Sequence, residues 1–406
     1  MERQFNAEIE SLKLGAGETF HGEGILAVTK ALLQSGVSYV CGYQGAPVSH
    51  LLDVMVQARD FMDELGVHVE ACTNEASAAA MLGASINYPA RGAVTWKSIV
   101  GTNVASDALT HVASAGVLGG ALIVVGEDYG EGASVAQERT HAIALKSSMW
   151  MLDPRPNLAS IARLVEHAFE LSEASNTPVF MDLRIRACHV HGSFVTKANR
   201  APALSTRKLQ AEAATFDYEH IPHPPATYRQ EKLKMNVRMP AARNYIREHK
   251  LNELFAGSET GAGIICQGGL YNNLLRALQL LGLADDFGNS RIPILALNVV
   301  YPLVPEEISA FCEGKTAVLV VEEGQPEFIE QDIATLLRRA DIQTRLHGKD
   351  LLIMAGEYTA EVIVHGLMGF LGTHAAHLDI SAGTRWHESA DAARARAAEL
   401  LGAPLP

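Results

Sequence analysis

The sequence predicts an α/β protein built from two units, each with a parallel sheet. Continuous apolar strands alternate with helices from residue 19 to about 195, and the alternation resumes near residue 258. Continuous apolar strands of this kind are typical of a parallel sheet that helices cover on both faces. Apolar residues make up 48% of the 406 residues and charged residues only 19%, so two sizeable cores are expected.

The first region alternates five helices with five strands. Apolar residues spaced three and four apart indicate the helices, a glycine ends the second of them, and unbroken apolar runs indicate the strands. In chain order the elements are GILAVTKALLQSG (helix), VSYVCGY (strand), HLLDVMVQARDFMDELG (helix), VHVEACT (strand), CTNEASAAAMLGASIN (helix), RGAVTWKS (strand), NVASDALTHVASAGVLGG (helix), ALIVVGED (strand), NLASIARLVEHAFELSEAS (helix) and TPVFMDLR (strand).

The second region repeats the pattern with four strands and three helices between them. In chain order the elements are GAGIICQG (strand), YNNLLRALQLLG (helix), PILALNVVYP (strand), PEEISAFCEG (helix), TAVLVVEEG (strand), FIEQDIATLLRRA (helix) and IQTRLHG (strand). The final sixty residues form a mixed tail that ends in an Ala/Arg-rich helix.

Residues 206–255 separate the two regions. The stretch IPHPPATY is a proline-rich break, and the residues from Arg229 to Lys250 are locally basic. A linker followed by a helix that packs on a neighbour explains this composition, and a solvated spacer explains it equally well.

Charge and hydropathy exclude two classes of partner. The formal net charge of −13 argues against nucleic acid and against an anionic membrane surface, both of which require clustered Lys and Arg. No apolar run approaches the roughly 20 residues of a membrane-spanning helix. The first residues, MERQFNAEIESLKLG, are polar and do not resemble a secretory signal, so we expect a cytoplasmic protein.

The five cysteines do not form a metal-binding motif. The closest pair in sequence, Cys41 and Cys72, is 31 residues apart, which excludes CxxC zinc sites and ferredoxin-type cluster motifs within the chain. The HVH stretch places His189 and His191 on one face of a predicted strand. Because no carboxylate or cysteine lies at ligand spacing, we predict no metal site there.

Polar residues that follow the strands of the first region are the candidates for a site, since ligands of open α/β sheets bind beyond the carboxyl ends of the strands. Glu75 begins a helix of small residues, where a carboxylate is favoured by the helix dipole. It is either a plain capping carboxylate or a buried acid in a cleft. Weaker candidates follow other strands or lie on loops: Lys97, Asp107, Glu127, Asp128 and His141. Motifs for a serine nucleophile elbow, a dinucleotide and a P-loop are all absent.

Several segments resemble one enzyme family. They are GYQGAP, TNEASAAAMLGASINYPARGAVTWKS, NVASDALTHVASAGVLGGALIVVGEDYG, RIRACHVHG, VVYPLVPEEISAFCEGKTAVLVVEEGQPEFIEQ and GKDLLIMAGEYTAEV. In this order, over residues 20–370, they are similar to the alpha subunit of indolepyruvate ferredoxin oxidoreductase, a thiamine-diphosphate-dependent 2-oxoacid:acceptor oxidoreductase.

The resemblance implies domains and site residues. Residues 19–205 resemble the pyrimidine-binding (Pyr) domain, and 256–346 resemble the transketolase C-terminal-type domain, which leaves 347–406 as a C-terminal tail. Glu75 matches the glutamate that hydrogen-bonds N1′ of the cofactor's aminopyrimidine, a strong charge-assisted bond. We also expect Gly45, Ala46, Pro47 and Asn103 to contact thiamine diphosphate.

The resemblance also implies a partner chain. The sequence contains no GDG motif, no CPGCPH-like segment and no C-terminal ferredoxin-type cysteines. We therefore expect a split enzyme in which a second subunit carries the diphosphate-binding domain, the Mg²⁺ ligands and the iron–sulfur clusters. Coenzyme A and ferredoxin, or another electron acceptor, would complete the reaction. Small-residue faces at 76–85 and 104–120 are expected in the contact between subunits.

Departures from the family pattern concern the substrate. The family's first loop usually is GYPGTPSSE, whereas Gln44 and Ala46 stand here in place of a proline and a threonine. The missing hydroxyl removes a hydrogen bond worth about 0.5–1.5 kcal/mol. From their loop positions, Gln44, Lys97 and His141 are predicted to contact the substrate, for which an aryl-2-oxoacid such as indolepyruvate is the default.

Two alternatives stay open at this point. A two-subunit decarboxylase, carboligase or lyase would use the same cofactor without oxidation, and the altered loop motivates it. A non-catalytic scaffold related to the Pyr domain is the other alternative, and it conflicts with the presence of Glu75.

Overall fold

The computed structural model describes residues 4–130, 136–137, 139–205 and 217–402. Its strands are β1 (Thr19–Glu23), β2 (Tyr39–Gly42), β3 (His68–Ala71), β4 (Gly92–Lys97), β5 (Ala121–Glu127), β6 (Trp150–Leu152), β7 (Val179–Arg184), β8 (His191–Val195), β9 (Glu253–Phe255), β10 (Ala262–Gln267), β11 (Ile294–Leu297), β12 (Val299–Tyr301), β13 (Ala317–Val321) and β14 (Arg345–His347).

The helices fill the intervals between these strands. They are α1 (Asn6–Lys13), α2 (Gly24–Gln34), α3 (Ser49–Gln57), α4 (Arg59–Leu65), α5 (Glu75–Leu82), α6 (Ala84–Asn87), α7 (Ser98–Ala115), α8 (Thr140–Ser147), α9 (Leu158–Ser175), α10 (Ile185–His189), α11 (Ala226–Leu233), α12 (Met239–Glu248), α13 (Tyr271–Leu280), α14 (Pro305–Cys312), α15 (Phe328–Arg339), α16 (Ala360–His374) and α17 (Ser381–Leu401). A π-helical stretch, Lys234–Arg238, joins α11 to α12.

The chain divides into two compact units. The first comprises residues 1–252 and 297–304, and the second comprises 253–296 and 305–406. Each unit contains one large sheet whose paired strands are mostly parallel, so the predicted α/β fold class is confirmed. Within the described residues, no helix is both long enough and apolar enough to span a membrane.

The first unit has a seven-stranded sheet in the order β12-β6-β7-β5-β4-β2-β3. The strands from β6 to β3 pair in parallel, and β12 pairs antiparallel with β6 at one edge. Helices α2, α3 and α9 contribute to the apolar core on one face, and α5 and α7 pack against each other over β4. A separate antiparallel pair, β1 and β8, completes the unit.

The predicted linker, residues 206–255, includes helices that pack on the first unit. Met239, Ala242 and Ile246 of α12 are buried in its core. The guanidinium of Arg238 donates to the carbonyl oxygens at the end of α7, at 2.8 Å to Ala113 and 3.2 Å to Ser114. The segment therefore acts as a strap of this unit along its described part, residues 217–252.

The second unit has a five-stranded sheet in the order β14-β13-β10-β11-β9. The predicted tail, residues 347–406, contributes to its core, because buried side chains of α16 pack against α13. One predicted strand, PILALNVVYP, is wrong as a single element. Asn298 divides it into β11 of the second unit and β12 of the first, and the Asn298 amide is buried and donates to the Leu251 carbonyl at 2.8 Å.

Candidate functional site

Three neighbouring parallel strands of the first unit end at the same edge of the sheet. In the sheet order β4-β2-β3, the middle strand is followed by the loop 43–48 and its neighbours end at Lys97 and at Ala71. Because all three run in the same direction, the segments that follow them meet at the carboxyl edge. This is the edge at which open α/β sheets bind ligands.

The loop after β2 folds down onto the ends of β4 and β5. A side chain on Gly45 would place its Cβ 2.7 Å from the backbone nitrogen of Lys97, so only glycine fits there. On β5, a Cβ on Gly126 would lie 2.5 Å from the ring of Pro47. The Lys97 ammonium donates to the Ala46 carbonyl at 3.1 Å. The predicted residues Gly45, Ala46, Pro47 and Lys97 are thus brought together.

Lys97 is held by a carboxylate that directly follows the neighbouring strand β5. Its ammonium lies 2.8 Å from Oδ2 of Asp128, and the side chains are 16% and 2% exposed. A buried carboxylate beside an ammonium fixes the position of that cation. Asp128 had appeared in the sequence only as a weaker candidate, and its pairing with Lys97 spans 31 residues.

Gln44 lies on the outer side of the same loop. Its side-chain amide donates to Oδ1 of Asp53 at 2.8 Å. The two side chains line a cavity of about 320 Å³. The other lining residues are Phe5, His50, Leu52, Val56, Gln57 and Ala71.

Glu75 occupies the first position of α5 but does not cap it. Asn74 is the N-cap, because its side-chain oxygen accepts the backbone N–H of Ser77 at 2.9 Å. Glu75 is only 8% exposed. Within the part of the chain that the structure describes, its carboxylate has no hydrogen-bond or ion-pair partner. Glu75 is therefore not the side chain that caps α5, and within the described residues it interacts, as an acidic residue of the first turn, only with the helix dipole.

The small residues that follow Glu75 allow a close approach within the chain. Ala78 and Ala79 are fully buried, and α5 packs against α7, whose Gly101 and Ala105 are also small and buried. Part of the face that the sequence predicted for a partner subunit is therefore used by this helix pair.

His141 and Asn103 lie in different surroundings. His141 is 2% exposed, and its Nδ1 lies 3.3 Å from the guanidinium of Arg139. Burial, followed by the charge of Arg139, lowers the pKa of His141 well below its usual range, so the ring is neutral. Asn103 lies on the exposed surface of α7.

Glu127, at the end of β5, is the centre of a buried polar network. Its carboxylate accepts bonds from the Ser98 hydroxyl at 3.1 Å, the Thr140 N–H at 2.7 Å and the Tyr129 hydroxyl at 2.5 Å. Burial and the neighbouring Glu127 raise the pKa of Asp182 well above its usual range. Glu127 thus joins the first residues of α7 and α8 and has a structural role.

The histidines of the HVH stretch lie around one carboxylate. Nδ1 of His50 and Nδ1 of His189 lie 3.2 and 3.6 Å from Oε2 of Glu23, and Nε2 of His191 lies 3.9 Å from its Oε1. Among the described residues, no group of three or more His, Cys, Asp or Glu side chains is arranged to hold a metal ion.

Comparisons with known proteins agree with the resemblance seen in the sequence. Residues 252–354 match the family described as the indolepyruvate ferredoxin oxidoreductase middle domain. The chain is 27% identical over 351 residues to the indolepyruvate oxidoreductase subunit IorA of Methanothermobacter thermautotrophicus, covering 85% of this chain and 53% of that protein. It is 26% identical over 353 residues to the subunit of the same name from Pyrococcus abyssi, covering 86% and 52%.

Solved structures agree on the fold. A 2-oxoglutarate:ferredoxin oxidoreductase from Magnetococcus marinus, with 2-oxoglutarate, coenzyme A and succinyl-CoA bound, superposes with a TM-score of 0.63 at 17% identity over 86% of this chain and 65% of that one. A split gene transketolase, described as an inactive β4 tetramer, gives 0.54 at 12% identity over 87% and 99%.

The chain spans about half the length of the curated relatives it matches. At these identities the solved structures establish the fold alone. The sequence comparisons, taken with the matched middle domain, confirm that the chain resembles the alpha subunit of indolepyruvate ferredoxin oxidoreductase.

Proposed function

We propose that this chain is one subunit of a split thiamine-diphosphate-dependent 2-oxoacid oxidoreductase. The observation that carries the proposal is Glu75, a buried carboxylate with no partner among the described residues, at the carboxyl edge of a Pyr-like sheet. The carboxylate oxygens of Glu75 accept no hydrogen bond within the described residues, so they are free to accept one from a donor on a ligand or another chain.

The residues at this edge suit the aminopyrimidine of the cofactor. Glu75 would accept a hydrogen bond from N1′ and hold the proton at that atom, a charge-assisted interaction. Bound thiamine diphosphate supplies a carbon nucleophile, C2, for the carbonyl of a 2-oxoacid. The packed loop Gly45–Ala46–Pro47 would form one wall of the site, and Asn103 is proposed to contact the cofactor from α7.

Lys97 supplies positive charge near this wall. Asp128 holds its ammonium in place, and the ammonium is partly exposed, so it is available to a substrate carboxylate. Gln44, hydrogen-bonded to Asp53, would contact the substrate side chain. His141 is buried, and its lowered pKa makes it a poor cation near neutral pH. Any contact of His141 with the substrate would therefore be a hydrogen bond or a packing contact and not an ion pair.

A partner subunit would complete the enzyme. It would carry the diphosphate-binding domain, the Mg²⁺ ligands and iron–sulfur clusters, with coenzyme A and ferredoxin, or another acceptor, as co-reactants. The curated relatives named as indolepyruvate oxidoreductase subunits support the reaction type and an aryl-2-oxoacid. The structural neighbour with coenzyme A and succinyl-CoA bound supports the acyl acceptor.

A second candidate uses the same cofactor without oxidation. The hydrogen-bonded pair of Gln44 and Asp53 favours this second candidate, because it places polar side chains at the loop where the family has a proline. A decarboxylase, carboligase or lyase of this kind would form its product without an electron acceptor. The scaffold alternative is disfavoured by the burial of Glu75.

The test is to isolate the complex from its native cells through this chain. Subunit masses, thiamine diphosphate and iron are measured, and the complex is assayed with aryl-2-oxoacids, coenzyme A and a viologen dye. We expect a second subunit, bound cofactor, iron and dye reduction that depends on coenzyme A. A fully active complex without iron or flavin would instead favour the non-oxidative enzyme, and a complex without the cofactor would contradict both.

A further inference from the structure

Three sulfur atoms of the first unit collect between the sheet and α5. Cys41 lies in β2, Cys72 follows β3 and Met81 lies in α5. The Cys72 sulfur is 3.6 Å from the Met81 sulfur, and the side chains of Cys41 and Cys72 interact directly. Tyr39, two residues before Cys41 and so on the same face of the sheet, donates from its hydroxyl to the Leu82 carbonyl at 3.2 Å. This face is therefore the one that α5 covers.

The strand register makes a disulfide between the two thiols unfavourable. Cys41 is paired with Glu70, and Cys72 lies two residues further along the neighbouring chain segment. With about 3.3 Å of rise per residue and about 4.8 Å between strands, the two Cα atoms are about 8 Å apart. Disulfides require about 4.4–6.8 Å between Cα atoms.

The donor set has a clear chemical preference. Two thiols and one thioether are soft ligands, which select Cu(I) over hard cations. With metal–sulfur bonds of about 2.3 Å, a trigonal site places its sulfurs about 4 Å apart, close to the separation of the Cys72 and Met81 sulfurs. Cys41 is fully buried, whereas Cys72 and Met81 are partly exposed, so a cation can enter from the side of Cys72.

We propose that Cys41, Cys72 and Met81 form a binding site for a soft monovalent cation of the Cu(I) type. On binding, each thiol releases its proton to solvent as its sulfur bonds the metal, and no oxidation state changes. The cation would join the ends of β2 and β3 to α5, three residues before Glu75. The proposal does not depend on the proposed function, because it uses other side chains and another ligand.

The experiment titrates the reduced full-length chain with Cu(I) without oxygen, against a chromophoric Cu(I) chelator. We expect one Cu(I) per chain and an X-ray absorption spectrum with only sulfur neighbours at about 2.3 Å. Cys72→Ser should weaken binding at least about 100-fold, and Met81→Leu about tenfold, equivalent to about 1.4 kcal/mol. Cys312→Ser, which removes a buried thiol of the second unit, is the matched control and should leave binding unchanged.

Three results would overturn the proposal: no Cu(I) retained against the chelator, nitrogen or oxygen neighbours in the absorption spectrum, or equal affinity in the wild type and Cys72→Ser. If circular dichroism shows that Cys72→Ser does not fold, Met81→Leu decides, because leucine conserves the volume of methionine and removes only the sulfur. An unchanged affinity and an unchanged number of sulfur neighbours in that variant would equally contradict the site.

Discussion

The two units both have buried glutamates at the carboxyl edges of their sheets, and these glutamates differ in what they bind. In the second unit, Glu322 follows β13 and is 1% exposed. Its two oxygens accept the backbone N–H groups of Ile329, at 3.0 Å, and Glu330, at 2.9 Å, at the start of α15. In the first unit, Glu75 is 8% exposed and has no such partner in the described residues.

The difference separates a structural carboxylate from a candidate for chemistry. Glu322 satisfies two N–H groups that a helix start leaves without intrahelical acceptors, so its role is complete within the chain. In α5 the same task is performed by Asn74. Glu75 thus has no hydrogen-bonding role within the described residues, which supports the proposal that it contacts a ligand.

The largest expected effect is on turnover in Glu75→Gln. In the complex with its partner subunit, 2-oxoacid turnover should fall by about 10²–10⁴-fold, because the amide cannot hold a proton as the carboxylate does. The free energy of unfolding of the chain alone should not decrease, since no contact within the described residues is lost. A destabilised variant with near-normal turnover would place Glu75 with Glu322 as a structural carboxylate.

The next largest effect is on the stability that the ion pair of Lys97 and Asp128 provides. Lys97→Met should reduce the free energy of unfolding by about 3–5 kcal/mol in urea titrations, because it leaves the buried Asp128 without its cation. The double variant Lys97→Met/Asp128→Asn should recover most of the loss. Lys197→Met, which breaks an exposed ion pair with Glu166, is the control and should cost less than about 1 kcal/mol. An equal loss of unfolding free energy in Lys97→Met and Lys197→Met would show that Lys97 does not hold Asp128.

Glu322→Gln tests whether the buried glutamate of the second unit has a structural role only. It should reduce the free energy of unfolding by about 1–3 kcal/mol, since an amide presents one acceptor oxygen to two buried N–H groups. Turnover in the complex should be unchanged at a temperature where the variant is folded. A loss of turnover at full stability would mean that the second unit also contributes to the reaction.

The smallest effect sharpens the role of the α5 cap. Asn74→Ala and Asn157→Ala each remove an N-cap side chain, of α5 and α9 respectively, and each should cost about 1 kcal/mol of unfolding free energy. Only Asn74→Ala should also lower turnover, because α5 positions Glu75. Equal turnover in the two variants would argue that the first turn of α5 does not aim this carboxylate.

Most strands and helices of the first unit could be predicted from the hydrophobic pattern of the sequence. The elements that were predicted wrongly or missed have local causes. Strands β2, β4, β5 and β7 lie within the predicted runs, because each is buried on both faces and therefore continuously apolar. The helix predicted over 50–66 is broken at Ala58, and Gly83 divides α5 from α6. The three-residue strands β6 and β12 are too short to give a periodic signal, so the antiparallel edge was not predicted.

The sequence predicted individual residues of the candidate site but not the contacts between them. Glu75, Lys97 and the loop 43–47 follow strands, and this position alone identifies them. One partner does not follow from local pattern, because Asp128 is 31 residues from Lys97. Such a contact depends on strand order and on side-chain geometry. Asn74 could have been predicted as the cap of α5, since asparagine directly before a helix is a common N-cap, but this signal was not used in the prediction.

The proposed role of Glu75 is tested most directly by the exchange of the C2 proton of thiamine diphosphate bound to the assembled complex. The wild type and Glu75→Gln are loaded with cofactor to equal occupancy, and exchange into D₂O is followed by quenched-flow NMR. We expect exchange to slow at least about 100-fold in the variant while the cofactor remains bound. Equal exchange rates in the two proteins would contradict it.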